Sequence, residues 1–159
     1  MDSQRDGGDA GVGGGLSRAE LERFFEAYAD GFNQALAGRP DFAAMTGRFA
    51  EVFVAAGPNG VEAGKNDSDF PEVLEKGLDF YRGIGTKRMT VRDIDVTAID
   101  ASHALVAVHW HSEYEPREGR AVSIAFDVHY LVQGTGGTPR IFGFIAGDEQ
   151  ALLRRHGLI

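Results

Sequence analysis

A chain of 159 residues, 43% hydrophobic and 25% charged, has the length of one domain and enough apolar material for a real core. Its formal charge of −8 argues against nucleic acid or an anionic membrane as partner, because both need a concentrated basic surface to displace counterions. The lack of cysteine excludes disulfides, thiolate metal sites and thiol nucleophiles together, and it fits a cytoplasmic location.

Residues 1–15, with Gly7, Gly8, Gly11, Gly13, Gly14 and Gly15 among Asp and Ser, offer nothing to bury and lack the apolar stretch of a signal peptide. They read as a disordered glycine-rich tail. No strand precedes these glycines and no Lys-Ser/Thr ending follows them, so they are not a phosphate loop. Residues 16–159 are then a single domain. No apolar run approaches the roughly 20 residues that span a bilayer, so no membrane is expected as partner.

Ser17 followed by Glu20 forms a capping box, and Leu21, Phe24, Phe25, Tyr28, Phe32 and Leu36 recur behind it at helical spacing. Gly38 closes that helix. Pro40 suits the first turn of a second, shorter helix whose Phe42, Met45 and Phe49 line one side. Val52–Ala56 and Val61–Ala63 flank Gly57-Pro58-Asn59-Gly60, turn chemistry for a short, peripheral hairpin. Asp69 can cap a third helix starting near Pro71, with Val73, Leu74, Leu78, Tyr81 and Ile84 on one side and Gly85 at its end. Strands follow over Lys87–Ile99, Ala104–Glu115, Ala121–Gln133 and Pro139–Ala146, an antiparallel meander broken by turn residues. Asp148 caps a terminal helical turn or two carrying Leu152 and Leu153.

Two of these strands alternate strictly. Val106, Val108, Trp110, Tyr114, Val122, Ile124, Phe126, Val128, Tyr130 and Val132 share one face, whereas His109, His111, Glu113, Ser123, Asp127 and His129 share the other. The even face requires a core and the odd face does not. Helices first and antiparallel strands after is an α+β order, in which the helices cover one face of a curved sheet.

That order, with the first helix ending in Asn33-Gln34-Ala35-Leu36-Ala37-Gly38 and Tyr130-Leu131-Val132-Gln133-Gly134 before the last strand, resembles the nuclear transport factor 2-like superfamily, also called SnoaL-like or ketosteroid-isomerase-like. The resemblance covers residues 16–159. It implies a cone-shaped barrel, a curved and mainly antiparallel sheet with three helices over its concave face, enclosing a pocket. It also implies a homodimer formed through the outer sheet face. The superfamily holds isomerases, dehydratases, cyclases, epoxide hydrolases and proteins without catalysis. Its isomerase branch uses a Tyr on the first helix, an Asp base on the first strand and a protonated Asp on a late strand. Here the first strand, Val52–Ala56, has no carboxylate, and the late-strand position falls on Val128. Phe32 falls near the Tyr position, with Tyr28 one turn earlier. No catalytic residue is therefore assigned.

The inner face yields the candidate ligand site: Trp110, Tyr114, Phe126, Val128 and Tyr130 from the sheet, Tyr28 and Phe32 from the first helix, and Tyr81 from the third. Aromatic walls give a ligand contact area, and Tyr or Trp tips give it orientation, although any one of these residues is equally an ordinary core side chain. On the outer face His109 and His111 point the same way and could share a metal with Glu113, Asp127 or His129. A solvated sheet face or polar dimer interface has the same composition, and that reading is preferred, with no metal and no cofactor. Asp148 and Glu149 read as a cap and a dipole partner; Asp93, Asp95 and Asp100 as a solvated strand edge and turn. The expectation is a small, largely apolar molecule bound in the concave pocket. The alternatives are an isomerase, dehydratase or hydrolase with Tyr28 and Tyr130 as proton donors, and a filled, non-catalytic dimerisation module.

Overall fold

A computed structural model describes residues 16–135 and 137–159, so the expected N-terminal tail lies outside the described residues. Helix α1 spans Arg18–Leu36 and begins where the Ser17 hydroxyl accepts the Glu20 N–H at 3.1 Å. It ends in a Schellman turn: the Gly38 N–H reaches the Ala35 carbonyl, the Arg39 N–H reaches the Gln34 carbonyl, and Gly38 has φ 89°. Leu21, Phe25 and Ala29 are buried along its inner stripe. The fully buried Phe25 ring alone contributes about 2–3 kcal/mol of apolar burial.

Helix α2 (Phe42–Gly47) starts one step later than the proline signal implies, because Asp41 is its cap and its carboxylate accepts the Ala44 N–H at 3.0 Å. Pro40 precedes the cap. Phe49 is likewise not the end of this helix but the first residue of strand β1 (Phe49–Gly57), where it and Phe53 turn inward with ring centroids 5.0 Å apart. Strand β2 (Gly60–Lys65) returns as the expected hairpin. The hairpin is not peripheral: β1 lies inside the sheet and pairs in parallel with the last strand, β6 (Thr138–Ala146). A turn motif reports its own two strands and carries no information about a partner some ninety residues away, which only tertiary packing selects.

Helix α3 (Phe70–Gly83) has Asp69 at its cap position, yet that carboxylate makes no capping bond; Asp67 instead accepts the Asp69 N–H at 2.9 Å. Strands β3 (Thr86–Ala98), β4 (His103–Tyr114) and β5 (Val122–Thr135) then run antiparallel into β6. The result is a curved, unclosed six-stranded sheet in the order β2-β1-β6-β5-β4-β3. Register shifts in β3, at Thr86/Arg88 and Val91/Asp93, mark bulges, which bend a strand and sharpen its twist. Across β4 and β5, Trp110 faces Phe126 and His109 faces Asp127, so the even side chains point inward together. Val106, Val108, Trp110, Tyr114, Ile124, Val128, Tyr130 and Val132 are all buried, as the alternation requires.

The Asn33 side chain docks α1 onto the edge strand β3, its amide donating to the Met89 carbonyl and its carbonyl accepting the Met89 N–H, both at 2.8 Å. A short helix α4 (Glu149–Arg155), capped by Asp148 on the Ala151 N–H, packs buried Leu153 against Tyr114 and Ile124. It closes one end of the concave side.

Candidate functional site

The helices do not fill the concavity. A cavity of about 360 Å³ remains between the sheet, α1, α3 and the start of α4. Trp110 and Tyr114 from β4 with Phe126, Val128 and Tyr130 from β5 make its floor. Tyr28 and Phe32 from α1 and Tyr81 from α3 make its roof. All the residues nominated from the even face and the helical stripes thus meet around one space.

The polar atoms inside are few and ordered. Trp110 Nε1 donates to the Tyr130 hydroxyl at 3.2 Å, and the Tyr28 ring lies 5.8 Å from Trp110 and 6.1 Å from Tyr130. Burial pushes the Tyr28 and Tyr130 hydroxyls above the usual tyrosine range, and the neighbouring Tyr28 pushes Tyr130 further. Both stay protonated and act as hydrogen-bonding groups at neutral pH. Tyr81 is raised by burial and then by the Glu149 carboxylate, whose oxygens accept its hydroxyl at 2.8 and 2.9 Å.

Residues 19–149 match the family described as "NTF2-like protein (DUF6841)". The chain belongs to that family. Solved structures share the fold of this NTF2-like chain. A ketosteroid isomerase-like protein from Erwinia carotovora atroseptica is 19% identical, with 81% of this chain and 93% of that one covered at a TM-score of 0.59. A domain with a cystatin-like fold from Nostoc punctiforme is 18% identical over 90% of this chain and 85% of that one, TM-score 0.61. Aln2 from Streptomyces is 15% identical over 86% and 94%, TM-score 0.61. No curated protein matches the chain.

The isomerase positions of the NTF2-like chain carry no carboxylate where that chemistry would need one. Val128 is on the cavity floor, the inward residues of β1 are Phe49 and Phe53, and the one acid of that strand, Glu51, is exposed. The carboxylates of Asp148 and Glu149 stand instead at the exposed rim. Beyond acting as a cap and a dipole partner, they stand where α4 begins at the cavity mouth, and Glu149 accepts a hydrogen bond from Tyr81. Nothing in the local sequence reveals that placement.

Two hydroxyl residues outside the sequence expectation share this space. Ser112, only 2% exposed, and buried Thr86 both line the cavity. Ser112 had a signal: it is the even-numbered residue of β4 that interrupts a row of large apolar side chains. Thr86 Oγ1 is buried and has no hydrogen-bond partner among the described residues.

On the outer face His109 is bracketed by Asp127 at Nδ1 (2.6 Å) and Asp95 at Nε2 (2.7 Å). Hydrogen bonds to Asp95 and then Asp127 raise its pKa. His111 lies opposite Ala125 and His129 opposite Ala107, so the imidazoles do not converge. Among the described residues no group of three or more His, Cys, Asp or Glu is placed to hold a metal ion.

Proposed function

We propose that this NTF2-like protein binds a small, largely apolar molecule in the cavity between its helices and its sheet. The observation that carries this reading is the unfilled space of about 360 Å³, within the range of small-molecule sites, walled by stiff aromatic side chains. The Tyr130 and Tyr81 hydroxyls of the lining offer such a molecule polar anchors. The same unfilled space speaks for a binder over a module that only dimerises.

Trp110 is the chain's single tryptophan and sits in the cavity wall, so its fluorescence reports occupancy directly. Titration with a panel of small apolar probes is expected to give a saturable change. Val128→Phe, which fills the floor, should abolish the response while the protein stays folded. A signal that stays flat across the panel would sink the reading.

A catalytic reading of the isomerase, dehydratase or hydrolase type has one specific support: a carboxylate and a phenol, Glu149 and Tyr81, are hydrogen-bonded at the rim of the same cavity. On that reading Glu149→Gln removes turnover of a bound substrate while leaving its binding intact.

As partner we propose a second copy on the outer sheet face, where Val54 and Ile145 are 44% and 53% exposed on adjacent strands. Light scattering should give twice the chain mass, and Val54→Lys should halve it. We place the protein in the cytoplasm, in line with its cysteine-free composition. None of its described helices is long and apolar enough to cross a membrane.

A further inference from the structure

A second cavity of about 180 Å³ lies under α1, α2 and α3, on the other side of Tyr28, Phe32 and Tyr81 from the first. Its walls are apolar, with Met45, Phe49, Leu74 and Leu78 facing the space, and one lining side chain is charged. That side chain is Arg48, the C-cap of α2, where the chain turns into β1. Its guanidinium is directed at α1: a Cβ on Gly31 would lie 3.1 Å from Arg48 Nη1, so the missing side chain of Gly31 makes the room that the guanidinium uses.

Arg48 contrasts with Arg82, the other half-buried arginine among the described residues. Arg82 is satisfied, donating to the carbonyls of Ala35 and Leu36 and to Asp79. The Arg48 guanidinium has no carboxylate within 4.0 Å and no hydrogen-bond acceptor among the described residues, and the cavity it faces holds no acidic residue. Its field acts on the Tyr28 hydroxyl, whose proton it makes easier to lose, against the larger effect of burial. A partly desolvated cation whose donors are unfilled is costly to keep, unless an anion completes it. A guanidinium selects planar oxyanions, because its parallel N–H bonds match the two oxygens of a carboxylate.

We propose that this second cavity is a binding site for a small apolar monocarboxylate. The carboxylate pairs with Arg48, and the hydrocarbon body lies against Met45, Phe49, Leu74 and Leu78. The site stands apart from the first cavity and does not depend on what that cavity holds.

The methionines make the test selective. The chain has three, of which Met45 lines the second cavity and Met89 the first, so methyl-labelled methionine gives each space its own NMR signal. Hexanoate should shift the Met45 methyl saturably and leave the Met89 methyl in place. Hexanamide, of the same shape without the charge, should bind at least about tenfold more weakly. Arg48→Gln should erase that preference and Arg48→Lys should keep part of it. If Arg48→Gln does not fold, the acid-against-amide comparison in the natural protein and in Arg48→Lys still decides. A Met45 methyl unmoved by hexanoate, or moved equally by acid and amide, overturns the proposal. A shift confined to Met89 overturns it too, while supporting ligand binding in the first cavity.

Discussion

The Tyr81 hydroxyl donates to Glu149, 2.8 Å from Oε1 and 2.9 Å from Oε2, and so ties the last turns of α3 to the first turn of α4 across the cavity rim. Helix α4 is short, and its other anchors are the Asp148 cap and buried Leu153. Tyr81→Phe is therefore expected to cost about 1 kcal/mol and to loosen α4 selectively. Hydrogen exchange should speed up in residues 149–155 and stay unchanged in α1. Unaltered protection in α4 would show that the bond does not hold the rim.

All four tyrosines, Tyr28, Tyr81, Tyr114 and Tyr130, have hydroxyls raised above the ordinary value of 10, with burial the largest cause in each. A folded-state pKa above the unfolded one means that the folded chain holds its protons more tightly. The associated stability is present below about pH 10 and is lost as pH rises toward the folded values. Absorbance at 295 nm should show no tyrosine ionising near pH 10 in the native protein and the full set doing so in denaturant. Tyrosines titrating normally before any unfolding would contradict the burial of these hydroxyls.

His109 follows the same sign with a different window. Hydrogen bonds donated to Asp95 on β3 and Asp127 on β5 raise its pKa above 6.5, so its contribution is complete below that value and fades as pH climbs through the folded-state pKa. The thermal midpoint of the natural protein should fall over that interval relative to His109→Gln, by a small amount because the group is exposed and screened. Imidazole NMR titration gives the direct check: a raised pKa that drops toward 6.5 in Asp95→Asn. An imidazole titrating at 6.5 in the unaltered chain would refute the bracketed geometry.

Gly85 joins α3 to β3 with φ +83°, and a Cβ there would come 2.5 Å from the Glu115 carbonyl oxygen. Gly85→Ala combines left-handed strain with a backbone clash, so it should destabilise by about 1–3 kcal/mol. The denaturant midpoint should move down with an unchanged slope. A midpoint equal to the natural protein's would mean that the turn relaxes freely.

Helix caps, turn glycines and two-residue alternation are local signals, and they are the parts of this molecule that could be read in advance. Ser17 on Glu20, Gly38 and Gly85 behind their helices, and the inward even residues of β4 and β5 all stand where the pattern put them, with the ends of β2 to β6 within two residues and β1 starting three earlier. One local signal failed, since Asp69 stands at the α3 cap position without the capping bond, and the other errors fall where two patterns coincide or a partner is remote. Phe49 continued a helical spacing from Phe42 and Met45, yet it begins a strand because β6 supplies a parallel partner through Ile141.

By itself, the sequence determined which faces must be buried, since amphipathic periodicity follows from backbone geometry alone. That was enough to name the aromatic residues lining the first cavity apart from Phe144 of β6. Only the tertiary structure decided that their packing stops short of filling the cone, that Glu149 returns to its rim, that the Thr86 hydroxyl is buried without a partner among the described residues and that Arg48 charges a second chamber. Each of these depends on how elements far apart in the chain approach one another, and a space between side chains leaves no mark on their order.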